Sequence, residues 1–491
     1  MFGMYKKSES TPELPDFALP FEGRLNPENR WITLAGRLPW HELEADYAKH
    51  FKSCGRGEIA LNVRIALGAL LIKEMLGLSD RGVVEAVTEN PYLQCFLGFK
   101  TFQDKAPFDA SLMTHFRKRL PAEVINRFNE KVIAKATEPP DHEDDPPPGG
   151  GNPSLDSEEP KNVGTIMMDA TCAPADIKYP TDLNLVNDAR ERTEKLIDLL
   201  RELVPEPGPR PRTRPQICRR RFLDVVKHPK CGIGKRRKTL RFLLNAVKRN
   251  LEFIREYLKS TDLPSSTLLE QLAVIQSIHD QQREMLDRRT HRTEHRIVNL
   301  QQPHVRPIVR GKAGHETEFG AKLTASLIDG YTRIERLSWE AYSEAGDLPL
   351  ICERFKERTG HYPEAVLADK LFRNRENLRY CAERGIRLSG PRLGRPLKNP
   401  DPEWLKQELA DNSARNAIEG KFGQCKRRLS MGRVMARLQT SSETVIAITI
   451  LTANLIRWEQ DVFYGCTIQV VPADSFILES LVYPFQFLSA A

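Results

Sequence analysis

The sequence predicts an α/β protein: a mixed-sheet core with a helical insertion, preceded by an all-α helical domain. Three observations carry this. Helical periodicity fills much of residues 57–120, and short apolar runs bounded by turn residues alternate with helical stretches after residue 163. Between them lies a stretch rich in Pro, Gly and acids. At 491 residues the chain exceeds one ordinary compact core. The expected division is an N-terminal extension at 1–54, a helical domain at 55–136, a linker at 137–162, the α/β domain at 163–458 and a tail at 459–491. The insertion falls at about 201–312.

In the first helical domain, Leu67, Leu70, Leu71 and Met75 share one helix face within residues 57–76. Gly77 suits the helix C-terminus and Ser79 the next N-cap, so a second helix is expected over 80–89. Leu112, Phe116 and Leu120 form the stripe of a third, with Arg117, Lys118 and Arg119 expected to face water. Short helices with tight turns resemble a helix-turn-helix, a candidate DNA-binding unit; a small bundle that touches no DNA is the plainer reading. The linker "TEPPDHEDDPPPGGGNPSLDSEEPKN" has almost no apolar residues, the composition of disorder.

Beyond it, "TIMMD" reads as a buried strand ending in Asp169, and a charged helix follows at 186–201. Residues 207–250 carry fifteen Lys/Arg against one acid, Asp224. Helices are expected at 238–259 and 264–298. A hairpin across Gly330 and Tyr331 joins "EFGAKLTASLIDG" to "RIERLSWEAY". Next come a helix at 346–363, a strand "EAVLAD", a helix at 373–385 and a strand "IRLSG". Helices at 402–411, 413–429 and 441–458 close the domain.

Composition narrows the function classes. A 29% charged content and net charge of +8 suggest a polyanionic partner, nucleic acid before an anionic membrane surface. Nine cysteines without a CxxC pair fit reduced thiols rather than a disulfide framework. Cys218, His228 and Cys231 lie close in sequence, but a fourth zinc ligand at finger spacing is missing. "MFGMYKKSES" lacks the apolar core of a signal peptide. The longest apolar run, 444–456, is short of the roughly 20 residues of a membrane helix. A cytoplasmic protein, associated with the nucleoid when on DNA, is expected, with no membrane partner.

Three carboxylates stand out. Asp169 and Asp369 each end an apolar strand, where ligands of α/β folds bind; simple capping of the following segment is the plainer role. Glu419 lies on a basic helix, with Arg415 and Lys426 on its face at about 100° per residue. A surface ion pair alone would explain Arg415 and Glu419. A carboxylate triad would suit Mg²⁺ or Mn²⁺, with the neighbouring cations on phosphate oxygens.

The motifs together resemble the bacterial insertion-sequence transposases with a DDE triad on an RNase H-like fold. "LLIKEMLGLSDRGVVEAVTENPYLQCFLGF" and "FDASLMTHFRKRL" are similar to the helical domain preceding the core in one large group of them. "MMDAT", "AVLADKLFRNRENLRYCAERGI" and "RNAIEGKFGQCKRRLSMGR" resemble the blocks of the first Asp, second Asp and Glu, and "GKAGHETEFGAKLTAS" the strands between the first two. The resemblance implies catalytic, metal-holding roles for Asp169, Asp369 and Glu419. Many relatives share a Y-(2)-R-(3)-E-(6)-K spacing; Arg415, Glu419 and Lys426 match it, while Asn412 stands at the tyrosine position. The implied activity is Mg²⁺- or Mn²⁺-dependent cleavage at the terminal inverted repeats of an element, then strand transfer into target DNA. Expected partners are double-stranded element ends and target DNA, with a homodimer on DNA. Arg415, Lys426, Arg427, Arg428 and the insertion's Arg219, Arg220, Arg221, Lys235, Arg236 and Arg237 are the candidate DNA contacts. A domesticated DNA-binding protein without chemistry, or a nuclease that cuts without joining, are the competing readings.

Overall fold

A computed structural model of the protein describes residues 4–5, 23–51, 59–138, 162–204, 208–259, 265–312, 315–394 and 401–464. Most of the expected linker and the stretch after 464 therefore lie outside the described residues. A two-residue parallel pair, β1 (Met4–Tyr5) with β2 (Ile59–Ala60), accompanies the first helices. These are α1 (Arg30–Arg37), α2 (His41–Ala48), α3 (Val63–Leu76), α4 (Asp80–Glu89), α5 (Pro91–Phe96), α6 (Leu112–Arg119) and α7 (Ala122–Thr137). Caps set several boundaries: the side chains of Asn62, Ser79 and Asn90 accept backbone N–H groups at the starts of α3, α4 and α5. Gly77 ends α3 at φ +65°, a left-handed conformation that costs glycine little. The basic end of α6 departs from expectation. Arg117 forks onto the Asp80 carboxylate at 2.7 and 3.1 Å and is largely buried, and Arg119 lies over the Phe51 ring, so only Lys118 of the three is exposed.

The insertion begins earlier than its expected start near 201: α8 (Asp182–Leu203) packs with α9 (Pro215–Val226), α10 (Ile233–Lys259) and α11 (Ser266–Arg288) around a core of their own, with residues such as Val186, Ile197, Leu243, Val247 and Ile278. The sequence reading missed α9 because "PRPRTRPQ" suggests coil, yet Pro215 occupies the first turn, where its missing N–H costs nothing. It also ran α11 ten residues too far. The chain leaves the helix at Arg289, whose φ of +54° forms a left-handed cap.

The sheet is built from β3 (Thr165–Pro174), β4 (Arg306–Lys312), β5 (His315–Ile328), β6 (Tyr331–Ser338), β7 (Ala365–Leu367) and β8 (Arg387–Leu388). β5 pairs antiparallel with β3 along one edge; its other edge takes β4 in the first half and β6 in the second. β3 pairs parallel with β7, and β7 with β8, so the sheet is mixed, as the alternation of elements suggested. The β5–β6 turn lies at Asp329–Gly330, both at positive φ, and Tyr331 already belongs to β6. Where β5 crosses the end of β3, a Cβ at Gly320 would sit 2.1 Å from the Ala173 carbonyl oxygen, so the pairing demands glycine there.

Four helices complete the core: α12 (Leu348–Thr359), α13 (Arg375–Glu383), α14 (Pro402–Arg427) and α15 (Gln439–Tyr464). The apolar run at 444–456 becomes intelligible in α15. Ile446, Ile450 and Ala453 pack on the sheet side, while Ala447, Ile448, Leu451 and Leu455 join the core of the N-terminal helices. Buried on two sides, the helix needs few polar residues. Asn454 is paired on both sides: it exchanges hydrogen bonds with the Thr332 backbone and donates to Asn129 of α7. Among the described residues no helix is long and apolar enough to cross a membrane.

Candidate active site

Asp169 does not close its strand but sits midway along β3, opposite Ala325 of β5. Alternation sends Ile166 and Met168 into a core with Val366 and Phe355, which leaves Met167 and Asp169 for the opposite face. On the other edge β3 pairs with β7 only through Thr165↔Ala365, Ile166↔Val366 and Met167↔Leu367. Asp169 and Asp369 each follow that last pair by two residues. The parallel register thus brings both carboxylates to the same level of the sheet, just past the end of β7. Asp369 Oδ1 also accepts the Lys370 N–H at 2.6 Å, capping a short 3-10 turn, so the capping role and the cleft position coexist.

Glu419 arrives on α14. The sequence reading broke this helix near Asn412; the structure has one helix from Pro402 to Arg427. Asp411, at the supposed break, is buried and accepts an ion pair from Arg387 of β8 and a hydrogen bond from Gln407 at 2.9 Å. Ile418, Phe422 and Cys425 bury the inner stripe against Leu323 and Ala325 of the sheet. That seating leaves Glu419 on the flank, 3.1 Å from the Arg415 guanidinium.

Asp169, Asp369, Glu419, Arg415 and Lys426 line a single cleft of about 820 Å³. Sequence reasoning missed its far wall, Lys322, Tyr342 and Glu344. Lys322 donates to the Tyr342 carbonyl at 2.7 Å and pairs with Glu344, and the Arg336 guanidinium stacks 3.9 Å from the Tyr342 ring. A lone lysine inside the apolar strand "FGAKLTASLI" was the available signal; Tyr342 and Glu344 lie after β6 with no periodic pattern to mark them.

Burial pushes the Asp169 carboxyl above the usual carboxylate range. Its own Ala170 N–H and the Arg415 charge pull the other way, and Glu419 and Asp369 add to the rise. Burial likewise pushes the Tyr342 hydroxyl up to about 12. Among the described residues no three His, Cys, Asp or Glu side chains stand close enough as placed to hold a metal ion. The donor set itself, all carboxylate oxygen, matches a hard divalent cation, and a cation would relieve the repulsion at Asp169.

The remaining basic candidates lie elsewhere. Arg427 and Arg428 are exposed at the end of α14, and neither they nor Asn412 lines the cleft. Arg219 and Arg220 are exposed beside Leu223 and Lys227 in a shallow groove on α9. Arg221 stacks 4.0 Å from the Phe242 ring, Lys235 pairs with Asp224 at 2.7 Å, and Arg236 donates to the Pro229 carbonyl. Arg237 borders a small pocket with Asp182 and Arg289. The structure therefore gathers the three acids with Arg415 and Lys426, and keeps the insertion's cations apart from that cleft.

A sheet and a helix thus deliver three acids to the lining of one cleft, with cations beside them. Comparison with known proteins gives the family. Residues 366–456 match the family described as transposase DDE domain, and residues 19–119 match the transposase domain DUF772. The first match takes in Asp369 and Glu419; Asp169 lies outside it. The chain is also 30% identical over 161 residues to the uncharacterized protein ORF8 in the nfe locus of Rhizobium meliloti, covering 33% of this chain and 69% of that protein. No solved structure matches significantly. The chain belongs to the insertion-sequence DDE transposases.

Proposed function

We propose that this protein binds the terminal inverted repeats of its insertion sequence, cleaves the DNA there and joins the freed end to a target. The observation that carries this is the meeting of Asp169, Asp369 and Glu419 with Arg415 and Lys426 in one cleft. The sheet, with an antiparallel hairpin on one side of β3 and parallel strands on the other, supports an RNase H-like reading of residues 163–458. The helical domain at 55–136 and the basic insertion are the proposed DNA-holding parts, on double-stranded ends and target, in a homodimer in the cytoplasm.

The reaction has two displacements at phosphorus. In the first, a water oxygen bonds to the phosphorus at the element end as the P–O3′ bond breaks, leaving a 3′-OH and a 5′-phosphate. In the second, that 3′-oxygen bonds to a target phosphorus and displaces a target 3′-oxygen, which takes up a proton. Asp169, Asp369 and Glu419 would hold Mg²⁺ or Mn²⁺, which when bound supplies charge neutralisation and polarisation at the phosphodiester. Arg415 holds Glu419 in place through its 3.1 Å pair. Arg415 and Lys426 bring positive charge to a cleft whose carboxylates would otherwise repel the DNA backbone.

The test is incubation of the purified protein with a duplex carrying the element end, a target plasmid and Mg²⁺ or Mn²⁺. Nicking at the end followed by joined product is expected. End binding without cleavage would favour a domesticated DNA-binding protein, and cleavage of any duplex without joining would favour a plain nuclease.

A further inference from the structure

Glu74 is a charged residue that is only 4% exposed, in the last turn of α3 among the N-terminal helices. Its carboxylate is fully occupied. Oε1 accepts the Ser430 backbone N–H at 2.6 Å and Oε2 accepts the Ser430 hydroxyl at 2.6 Å. The Thr449 hydroxyl of α15 lies 2.7 Å from Oε1 and 2.9 Å from the Val445 carbonyl. With one proton to give, it favours the charged acceptor. A buried carboxylate left unpaired would be costly, so these donors and Glu74 fix one another.

What Ser430 belongs to gives the contact its meaning. It begins the turn Ser430–Gly432 that follows α14, the helix of Glu419 and Lys426. Three further contacts stitch this turn to the cleft. A Cβ at Gly432 would sit 2.2 Å from the Lys426 carbonyl oxygen, so the turn is pressed against the end of the helix. Val434 N–H donates to the Pro174 carbonyl at 2.8 Å, and Asp176 N–H to the Val434 carbonyl at 3.0 Å, joining it to the end of β3 beyond Asp169. One carboxylate from the N-terminal helices thus grips the junction between the strand of Asp169 and the helix of Glu419.

We infer that Glu74 is a positioning residue for the cleft: it holds the end of α14 in register with β3, and so couples the N-terminal helices to the placement of Glu419 and Lys426. The inference rests on the transposase reading of the cleft for its catalytic consequence, while the anchoring is measurable without it.

The full-length Glu74→Gln variant keeps the shape but loses the charge that binds three donors. Amide hydrogen exchange over residues 422–434 should speed up at least ten-fold, with β5 unchanged. Cleavage of an end duplex under saturating Mg²⁺ should slow at least ten-fold, with binding of that duplex within two-fold of wild type. Combined with Lys426→Ala, Glu74→Gln should add little further loss, because both act on the same placement. Unchanged exchange over 422–434, normal cleavage despite faster exchange, or full additivity with Lys426→Ala would each overturn the inference. If Glu74→Gln does not melt cooperatively, Ser430→Ala, which removes one donor, takes its place with the same expected direction. A wild-type protein that cleaves no DNA defeats the proposed function, and the exchange measurement still decides the anchoring.

Discussion

At Asp169, burial and two neighbouring carboxylates oppose ionisation, and only Arg415 and a backbone N–H favour it. The folded chain therefore holds this proton to higher pH than the unfolded chain, whose aspartates titrate near about 4. Between those values the folded state binds more protons, so this group's contribution to stability falls as pH rises through the window. Asp169→Asn should raise the melting temperature of the metal-free protein at neutral pH and flatten that slope, while abolishing cleavage. Thermal melts from pH 4 to 8 test it, and an unchanged slope would contradict the burial and repulsion assigned here. Added Mg²⁺ should raise the wild-type melting temperature more than that of Asp169→Asn, since ligands that bind only the folded state stabilise it. Equal shifts in the two proteins would sink that assignment. The carboxylates were legible in sequence because apolar runs ended in acids and a lone Glu stood among cations. Lys322, Tyr342 and Glu344 were not, since their place in the cleft depends on tertiary packing that no local pattern records.

Among the elements, β3 and α14 do most to shape the site, and each departs from its sequence reading for a physical reason. β3 runs five residues past Asp169 because β5 continues to pair with it where β7 has ended. α14 runs through Asp411 and Asn412, residues with modest helix propensity, because Asp411 is anchored by Arg387 and the inner stripe is buried. Turn chemistry and caps were read well where a side chain acts on its own segment, as at Ser79 and Gly77. The β3–β5 crossing yields a sharp prediction. Gly320→Ala places a methyl into the Ala173 carbonyl and should cost at least about 1–3 kcal/mol in urea unfolding. A neutral result would mean that the strands separate there more easily than their register implies.

For the whole molecule, the N-terminal helices and the sheet share α15, buried from both sides, so the two regions expected from composition meet along one helix. The insertion is different in kind: it has its own core and presents Arg219 and Arg220 to solvent. If it holds DNA, Arg219→Ala with Arg220→Ala should weaken end binding and reduce the log–log salt slope by about 1–2, at roughly 0.9 per phosphate released. An unchanged slope would assign DNA to another face. Strand cleavage by the shared cleft is read out in a single-turnover assay. Wild-type protein and Glu419→Gln are each mixed in excess with an end duplex, and appearance of the free 3′-OH strand is followed after Mg²⁺ is added. Wild type should cleave, Glu419→Gln should lose at least about 100-fold, and both should bind the duplex equally; cleavage at similar rates by the two proteins would place the chemistry at another site.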